Sequence, residues 1–259
     1  LVPDLEPTAI WRYNPLRRVV ARTAQGVARI TADDQRHLVL LQPHLERHLP
    51  VPALIEAGPK DEPVHITVQQ KVGEQDLSLA PQRLDAHRAA GTALARLHAA
   101  PLPTGLSLPA ASQSTRAIAA THAGIVAALE PDLAERIVSV AATLPEVPSD
   151  HMVLIHGDAS PDQVLIDDVP DRIWWTDLDR ATLAPAAADI ASYIDLTSPD
   201  SADAFLDGYS NIRPLPDELP AHIARARIAR LAEPLRHAHP DWRKQIARRL
   251  DDLQEGPWL

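Results

Sequence analysis

The chain contains no cysteine, which excludes disulfides, thiolate zinc sites and a cysteine nucleophile. A reducing, cytoplasmic setting fits that absence. No apolar run approaches the ~20 residues that cross a bilayer, so no membrane partner is expected. Basic residues are also scarce: 25 Lys and Arg face 35 Asp and Glu, a formal charge of −10. A nucleic-acid backbone binder needs a basic stripe, so that class is not expected either. Aromatic residues are few, with one Phe and three Tyr. Leu, Ile, Val, Ala and five Trp must therefore fill the core.

The remaining composition is that of a globular protein: 45% apolar over 259 residues, enough for one large domain or two modest lobes. The start "LVPDLEPTAIW" carries acids and two prolines, unlike a signal peptide. Because it opens on Leu1 rather than Met, a native start further upstream is expected.

The order of elements is informative. "RRVVART" and "VARIT", joined by "AQG", read as a hairpin within residues 12–31. "DDQRHLVLLQPHLERHLP" opens on an N-cap-like Asp pair and runs as an apolar helix meeting Pro43. "VPALIEAG" and "VHITVQQKV" read as two further strands around the turn "GPKDEP", and Gly73 closes this section. The chain then turns helical. Leu84, Ala90, Leu94 and Leu97 recur near a 3.6-residue period. Two more helices follow, the second with Pro131 at N1. A small β island, "HMVLIHG", "QVLID" and "RIWWTD", precedes four helices read over 186–197, 201–213, 216–238 and 239–254. This is an α+β order. It predicts a bilobal kinase-like fold, with a small β-rich N-lobe over 1–72 and a larger, mainly helical C-lobe over 73–259.

The β island holds the chemistry-bearing stretch, "LIHGDASPDQVLID". Phosphoryl transfer from a nucleotide needs an acid to orient the attacking hydroxyl and a divalent cation against the phosphates. Protein kinases supply these with H-R-D-x-x-x-x-N and an Asp on the following β turn. Here His156, Gly157 and Asp158 are followed by Gln163, and "WWTDLD" supplies Asp177 one strand later. With "APAAADIA" carrying Asp189, and "ALARLHA" and "QQKVG" upstream, the chain resembles the aminoglycoside phosphotransferase and choline kinase family. The resemblance is strongest from Leu84 to Tyr193.

That resemblance implies a phosphotransferase that moves the γ-phosphate of ATP or GTP to a hydroxyl of a small molecule. The acceptor would be an aminoglycoside or another antibiotic, a sugar or an amino alcohol, with antibiotic resistance as one setting. Asp158 would be the catalytic Asp that orients or accepts from the substrate hydroxyl, Asp177 and Gln163 would ligate Mg2+, and His156 and Asp189 would support the loop. Asp179 is a weaker candidate. Nucleotide would rest against the connector through Gln70 and Val72, and Arg29 would replace the strand lysine that clamps phosphates. The protein would work as a monomer or homodimer.

Three departures stand out. Gln163 keeps the carboxamide oxygen of the expected Asn but adds a methylene, while Mg2+ prefers near-ideal geometry at ~2.0–2.1 Å. "RYNPLRRVV" carries no glycine where a phosphate loop belongs, and Arg17 and Arg18 read foremost as exposed hairpin arginines. Arg29 has no clear Glu partner; only Asp33, Asp34 and Gln35 lie near the start of the next helix. These departures sustain an alternative, a kinase-shaped binding protein without catalysis. Asp200, Asp203, Asp207, Glu218 and Asp251 could meet a cationic acceptor, although solvated helix faces explain them equally well. Two other readings are weak. Asp85 and His87, two apart on a helix, point to different faces and make a poor metal block. Ser160 lacks the strand–turn–helix context of a hydrolase nucleophile.

Overall fold

The computed structural model describes residues 6–58, 62–106, 108, 114–147, 151–169 and 172–256. Part of the turn expected at "GPKDEP", residues 59–61, lies outside them.

A five-stranded antiparallel sheet comes first, built from β1 (Ala9–Asn14), β2 (Arg18–Arg22), β3 (Val27–Thr31), β4 (Leu54–Ala57) and β5 (Ile66–Gln69) in the order β1-β2-β3-β5-β4. Helix α1 (Arg36–His48) lies between β3 and β4 and continues through Pro43. Asp34 fixes its start, its carboxylate accepting from the amides of Arg36 and Val64 at 3.0 and 2.9 Å.

The rest is mainly helical: α2 (Leu84–Ala99), α3 (Thr115–Ala127), α4 (Pro131–Thr143), α5 (Ala187–Ile194), α6 (Pro199–Ser210), α7 (Leu219–Ala229), α8 (Glu233–Arg236) and α9 (Trp242–Glu255). Two small sheets are embedded in it. One pairs β10 (Thr182–Pro185) with β7 (Met152–Ile155); the other runs β6 (Gln75–Asp76), β8 (Val164–Ile166), β9 (Ile173–Trp175).

One core cluster joins Leu41 and Leu45 of α1, and Leu49 just after it, to Leu94 and Leu97 of α2, and to Trp175 and Tyr193. It packs the first sheet's helix onto the β island, and the Trp175 amide donates to the Pro50 carbonyl at 2.8 Å. A second cluster, with Ile137, Ile228, Ile246 and Leu250, holds α3, α4, α7 and α9 together. Helices α2 and α6 pack backbone to backbone. A Cβ on Gly91 would lie 2.0 Å from the Phe205 carbonyl oxygen, and one on Gly208 would lie 2.0 Å from that of Arg88.

Several expectations are corrected. The single helix read over 216–238 is broken between α7 and α8. Pro234 has no amide proton and its ring collides with the carbonyl four residues back, at Arg230. Leu84 is exposed although it fits the α2 stripe whose Ala90, Leu94 and Leu97 are buried. Strands β1 and β10 were missed. β1 is almost wholly exposed, so no burial pattern marks it, and β10 exists only through pairing with β7 about 30 residues earlier.

Candidate active site

Strand β7 delivers the His156–Gly157–Asp158 loop. Gly157 has φ +82°, and a Cβ there would fall 2.1 Å from the Arg180 carbonyl oxygen. Only glycine satisfies both conditions. Asp189, near the start of α5, is 1% exposed. Its two oxygens accept from the His156 amide at 2.6 Å and the Gly157 amide at 2.9 Å. His98, at the end of α2, adds a contact from Nε2 at 3.2 Å, and its Nδ1 lies 3.0 Å from the Tyr209 hydroxyl. Burial opposes ionisation of Asp189, but His98 and the loop amides outweigh it and hold the carboxyl below its ordinary value. The buried His156 ring places Nε2 2.8 Å from the Thr176 carbonyl oxygen, joining the loop to β9.

Asp158 is left open, its side chain 42% exposed and its Oδ2 3.5 Å from Nη1 of Arg180. Gln163 ends a short 3₁₀ turn, and its carbonyl accepts from the Thr176 amide at 2.9 Å. Its side-chain amide donates to Asp162 at 3.0 Å.

Asp177 follows β9 in the left-handed region, φ 61°. The alternation of the first sheet sends two arginines to meet it. β2 and β3 register Arg18 with Thr31 and Val20 with Arg29, so Arg18 and Arg29 share one face as diagonal neighbours. Arg18 bonds both oxygens of Asp177, at 2.8 and 2.9 Å. Arg29 bridges Asp177 and Asp179, at 2.7 Å each. Burial opposes charge on Asp177, yet the two guanidinium groups hold its carboxyl well below the usual range. Asp179 is pushed up, by burial and by the like charge of Asp177.

Arg18 is therefore not the exposed hairpin arginine expected; its side chain is 15% exposed and tied to the site. Arg17 is exposed, in a tight turn closed by its own amide and the Asn14 carbonyl. The partner missing for Arg29 is also found. Gln35, just before α1, and Leu38 and Gln42 within it line the small cavity behind Arg29, and Gln42 is committed to Glu46 and the Pro52 carbonyl. No acid of α1 lines that cavity, and Arg29 pairs with Asp177 and Asp179 instead.

Two larger cavities meet at the loop. One opens under the β1–β2 hairpin, lined by Arg18, Asp33, Asp162, Gln163, Asp177 and Asp179. The other runs between the loop and α5, α7 and α8. Asp158 and Arg180 line both. Neither the cleft under the hairpin nor the cavity behind Arg29 is lined by Gln70 or Val72. The Gln70 amide donates to the Ala53 carbonyl at 2.8 Å.

None of Asp200, Asp203, Asp207, Glu218 and Asp251 lines the cavities that share Asp158; Asp207 and Asp251 pair with Arg88 and Arg136. Asp85 pairs with Arg83 at 3.0 Å, and buried His87 meets the Tyr193 hydroxyl at 2.8 Å, so they form no common site. Among the described residues no group of three or more His, Asp or Glu is arranged to hold a metal, and no helix is long and apolar enough to cross a membrane. His98 is a site residue that sequence reasoning missed, and Arg18 one that it took foremost for an exposed hairpin arginine. "ALARLHA" was a visible signal for the first; for the second, only the strand register points the side chain.

A family model described as "Phosphotransferase enzyme family" matches residues 6–227. Comparison with curated proteins finds no significant sequence match. Among solved structures, a choline/ethanolamine kinase family protein from Mesorhizobium loti is 16% identical, with TM-score 0.67 over 98% of this chain and 90% of that one. An amicoumacin kinase in complex with AMP-PNP, Ca2+ and Ami is 14% identical, with TM-score 0.67 over 98% and 90%. A mutant aminoglycoside 2′-phosphotransferase-IIIa bound to GDP is 18% identical, with TM-score 0.67 over 98% and 94%. The shared fold is that of protein-kinase-like small-molecule kinases.

Proposed function

The chain belongs to the phosphotransferase enzyme family, and from that premise we propose that it moves the γ-phosphate of ATP or GTP to a hydroxyl of a small molecule. One observation carries the reading: Asp158 is an open carboxylate common to two cavities. A hydroxyl entering from the helical side can reach the same carboxylate that faces phosphates under the hairpin.

In this reading Asp158 orients the acceptor hydroxyl and takes its proton, a contribution of about 10²–10⁴-fold. Arg18 and Arg29 supply positive charge where phosphate charge must be neutralised, and arginine suits phosphate through its planar fork of donors. Asp189 keeps the loop amides in place, so Asp158 keeps its position. The base of the nucleotide would rest near the connector at Gln70 and Val72; with the Gln70 amide already used, that residue offers its carbonyl.

The donor set suits a hard divalent cation. Mg2+ is commonly held by one or two carboxylates together with substrate phosphates, and Asp177 and Gln163 would hold it here. It would supply charge neutralisation on the phosphates. Both Asp177 oxygens are engaged by guanidinium groups, so the cation and the arginines compete for one carboxylate. Nucleotide phosphates, as alternative partners for the arginines, favour the cation.

A thermal-shift titration with ATP and with GTP, each with and without Mg2+, tests the reading. A ligand that binds only the folded chain raises Tm by mass action. A Mg2+-dependent rise is expected with at least one nucleotide; no rise with either would sink the proposal. A metal-independent rise would instead favour a non-catalytic nucleotide binder. Asp158→Asn is expected to lower phosphate transfer by about 10²–10⁴-fold while leaving the nucleotide-induced shift in place. Transfer that survives Asp158→Asn would remove Asp158 from the mechanism.

A further inference from the structure

The close seam between α2 and α6 carries a polar contact that leads to the catalytic loop. The two helices touch backbone to backbone at Gly91 and Gly208, and the Thr92 hydroxyl donates to the Gly208 carbonyl at 3.0 Å. That fit sets the next residue, Tyr209, against the end of α2. Tyr209 and His98 are both buried, with the hydroxyl 3.0 Å from Nδ1 of the ring. Arg213, just beyond α6, donates to the His98 carbonyl. One segment therefore holds this histidine by its ring and by its backbone.

The direction of the hydrogen bond follows from the partners available. Burial raises the Tyr209 hydroxyl above its ordinary range, so the oxygen keeps its proton. Among the described residues His98 Nδ1 is its only hydrogen-bond partner, and a buried O–H left without an acceptor is costly. The hydroxyl therefore donates, and Nδ1 accepts as a bare nitrogen. A neutral imidazole carries one proton, which then sits on Nε2, 3.2 Å from an Asp189 oxygen. The opposite tautomer would set a nitrogen lone pair against that carboxylate. Asp189 in turn accepts from the His156 and Gly157 amides, so the contacts run from Tyr209 through His98 and Asp189 to the loop.

We propose that Tyr209 is a positioning residue for the catalytic loop. Its hydroxyl fixes the Nε2–H tautomer of His98, which holds the Asp189 carboxylate against the two loop amides and so keeps Asp158 in place. The role of Asp158 rests on the phosphoryl-transfer reading; the tautomer and the loop contacts do not.

The molecule contains a matched control. The Tyr193 hydroxyl meets Nδ1 of His87, another buried histidine of α2, at 2.8 Å, but bonds neither the Asp189 carboxylate nor the loop amides. Tyr193→Phe and Tyr209→Phe each delete one buried hydroxyl paired with a histidine, and similar losses of Tm are expected. Nitrogen-15 NMR of the imidazole rings reads the tautomer, the His98 signals being those missing from His98→Gln. Wild type and Tyr193→Phe are expected to show His98 with its proton on Nε2 and a bare Nδ1. In Tyr209→Phe that single tautomer is expected to be lost. Hydrogen exchange at the His156 and Gly157 amides is expected to quicken about tenfold, the equivalent of one buried hydrogen bond, with little change in Tyr193→Phe. Nucleotide hydrolysis by Tyr209→Phe is expected to lose kcat by a similar factor with KM unchanged.

A wild-type His98 protonated on Nδ1, or on both nitrogens, would overturn the proposal. So would loop amides that exchange equally fast in the two Phe variants, or a kcat that Tyr209→Phe leaves at the wild-type value. The expected tautomer and exchange in a chain that binds neither ATP nor GTP would keep Tyr209 as the loop's positioning residue while removing the phosphoryl-transfer reading.

Discussion

Asp189 and Asp177 are the two acids set deepest around the His156–Gly157–Asp158 loop, and their partners differ in kind. Asp189 is fully buried and held by two backbone amides and a buried histidine. Those donors cannot leave without unfolding the loop. Asp177 is only partly buried and is held by the ends of two arginine side chains reaching across from the first sheet. Such side chains can change partners by rotating, without moving a strand. The first carboxylate is thus built as a permanent brace, and the second as a contact between side chains that can exchange partners. Donor type rather than formal charge sets the difference.

The largest test breaks the brace. Asp189→Ala leaves two buried amides without an acceptor, and should destabilise the fold by about 3–5 kcal/mol, read from denaturant midpoints. Asp189→Asn, which keeps one carboxamide oxygen, should cost visibly less. Equal losses would mean that the charge rather than the amide bonds holds the loop.

Next, Arg29→Ala should cost only about 1–2 kcal/mol, between exposed and buried ion pairs, because Arg18 still holds Asp177. It should also change the acid response. The lowered carboxyl of Asp177 means that its contribution is complete above the ordinary carboxylate pKa of ~4. It is lost as pH falls through the folded value. Wild type should therefore lose more stability than Arg29→Ala on acidification below pH ~4. Parallel stability–pH curves would show that the arginines do not set the ionisation of Asp177.

The smallest effect is expected at Gln163. Its carbonyl holds β9, but its side chain touches only Asp162 at 3.0 Å, so Gln163→Asn should change stability by less than ~0.5 kcal/mol. Turnover should be kept or raised if Gln serves as a substitute ligand. Complete loss of turnover would show that the loop is built around the longer side chain.

Much of this was legible in the chain itself. The His156–Gly157–Asp158 stretch, Asp177 and Asp189 could be picked out because the loop chemistry is local: each lies beside a short apolar run that reads as a strand or helix. Most helices were legible for the same reason, since α2 and α4 carry their own 3.6-residue stripes. β10 was not, because its only support is β7.

The division has a physical cause. The sequence by itself determined which residues bear chemistry and on which elements they sit, since periodicity, prolines and turn glycines act within a few residues. Only the tertiary structure decided whom they face. The diagonal placement of Arg18 and Arg29 on one sheet face, and their meeting with Asp177 and Asp179 across from it, depend on how separate elements pack. Pairing across such distances leaves no local trace, because a side chain's partner is fixed by register and helix rotation rather than by its neighbours in the chain.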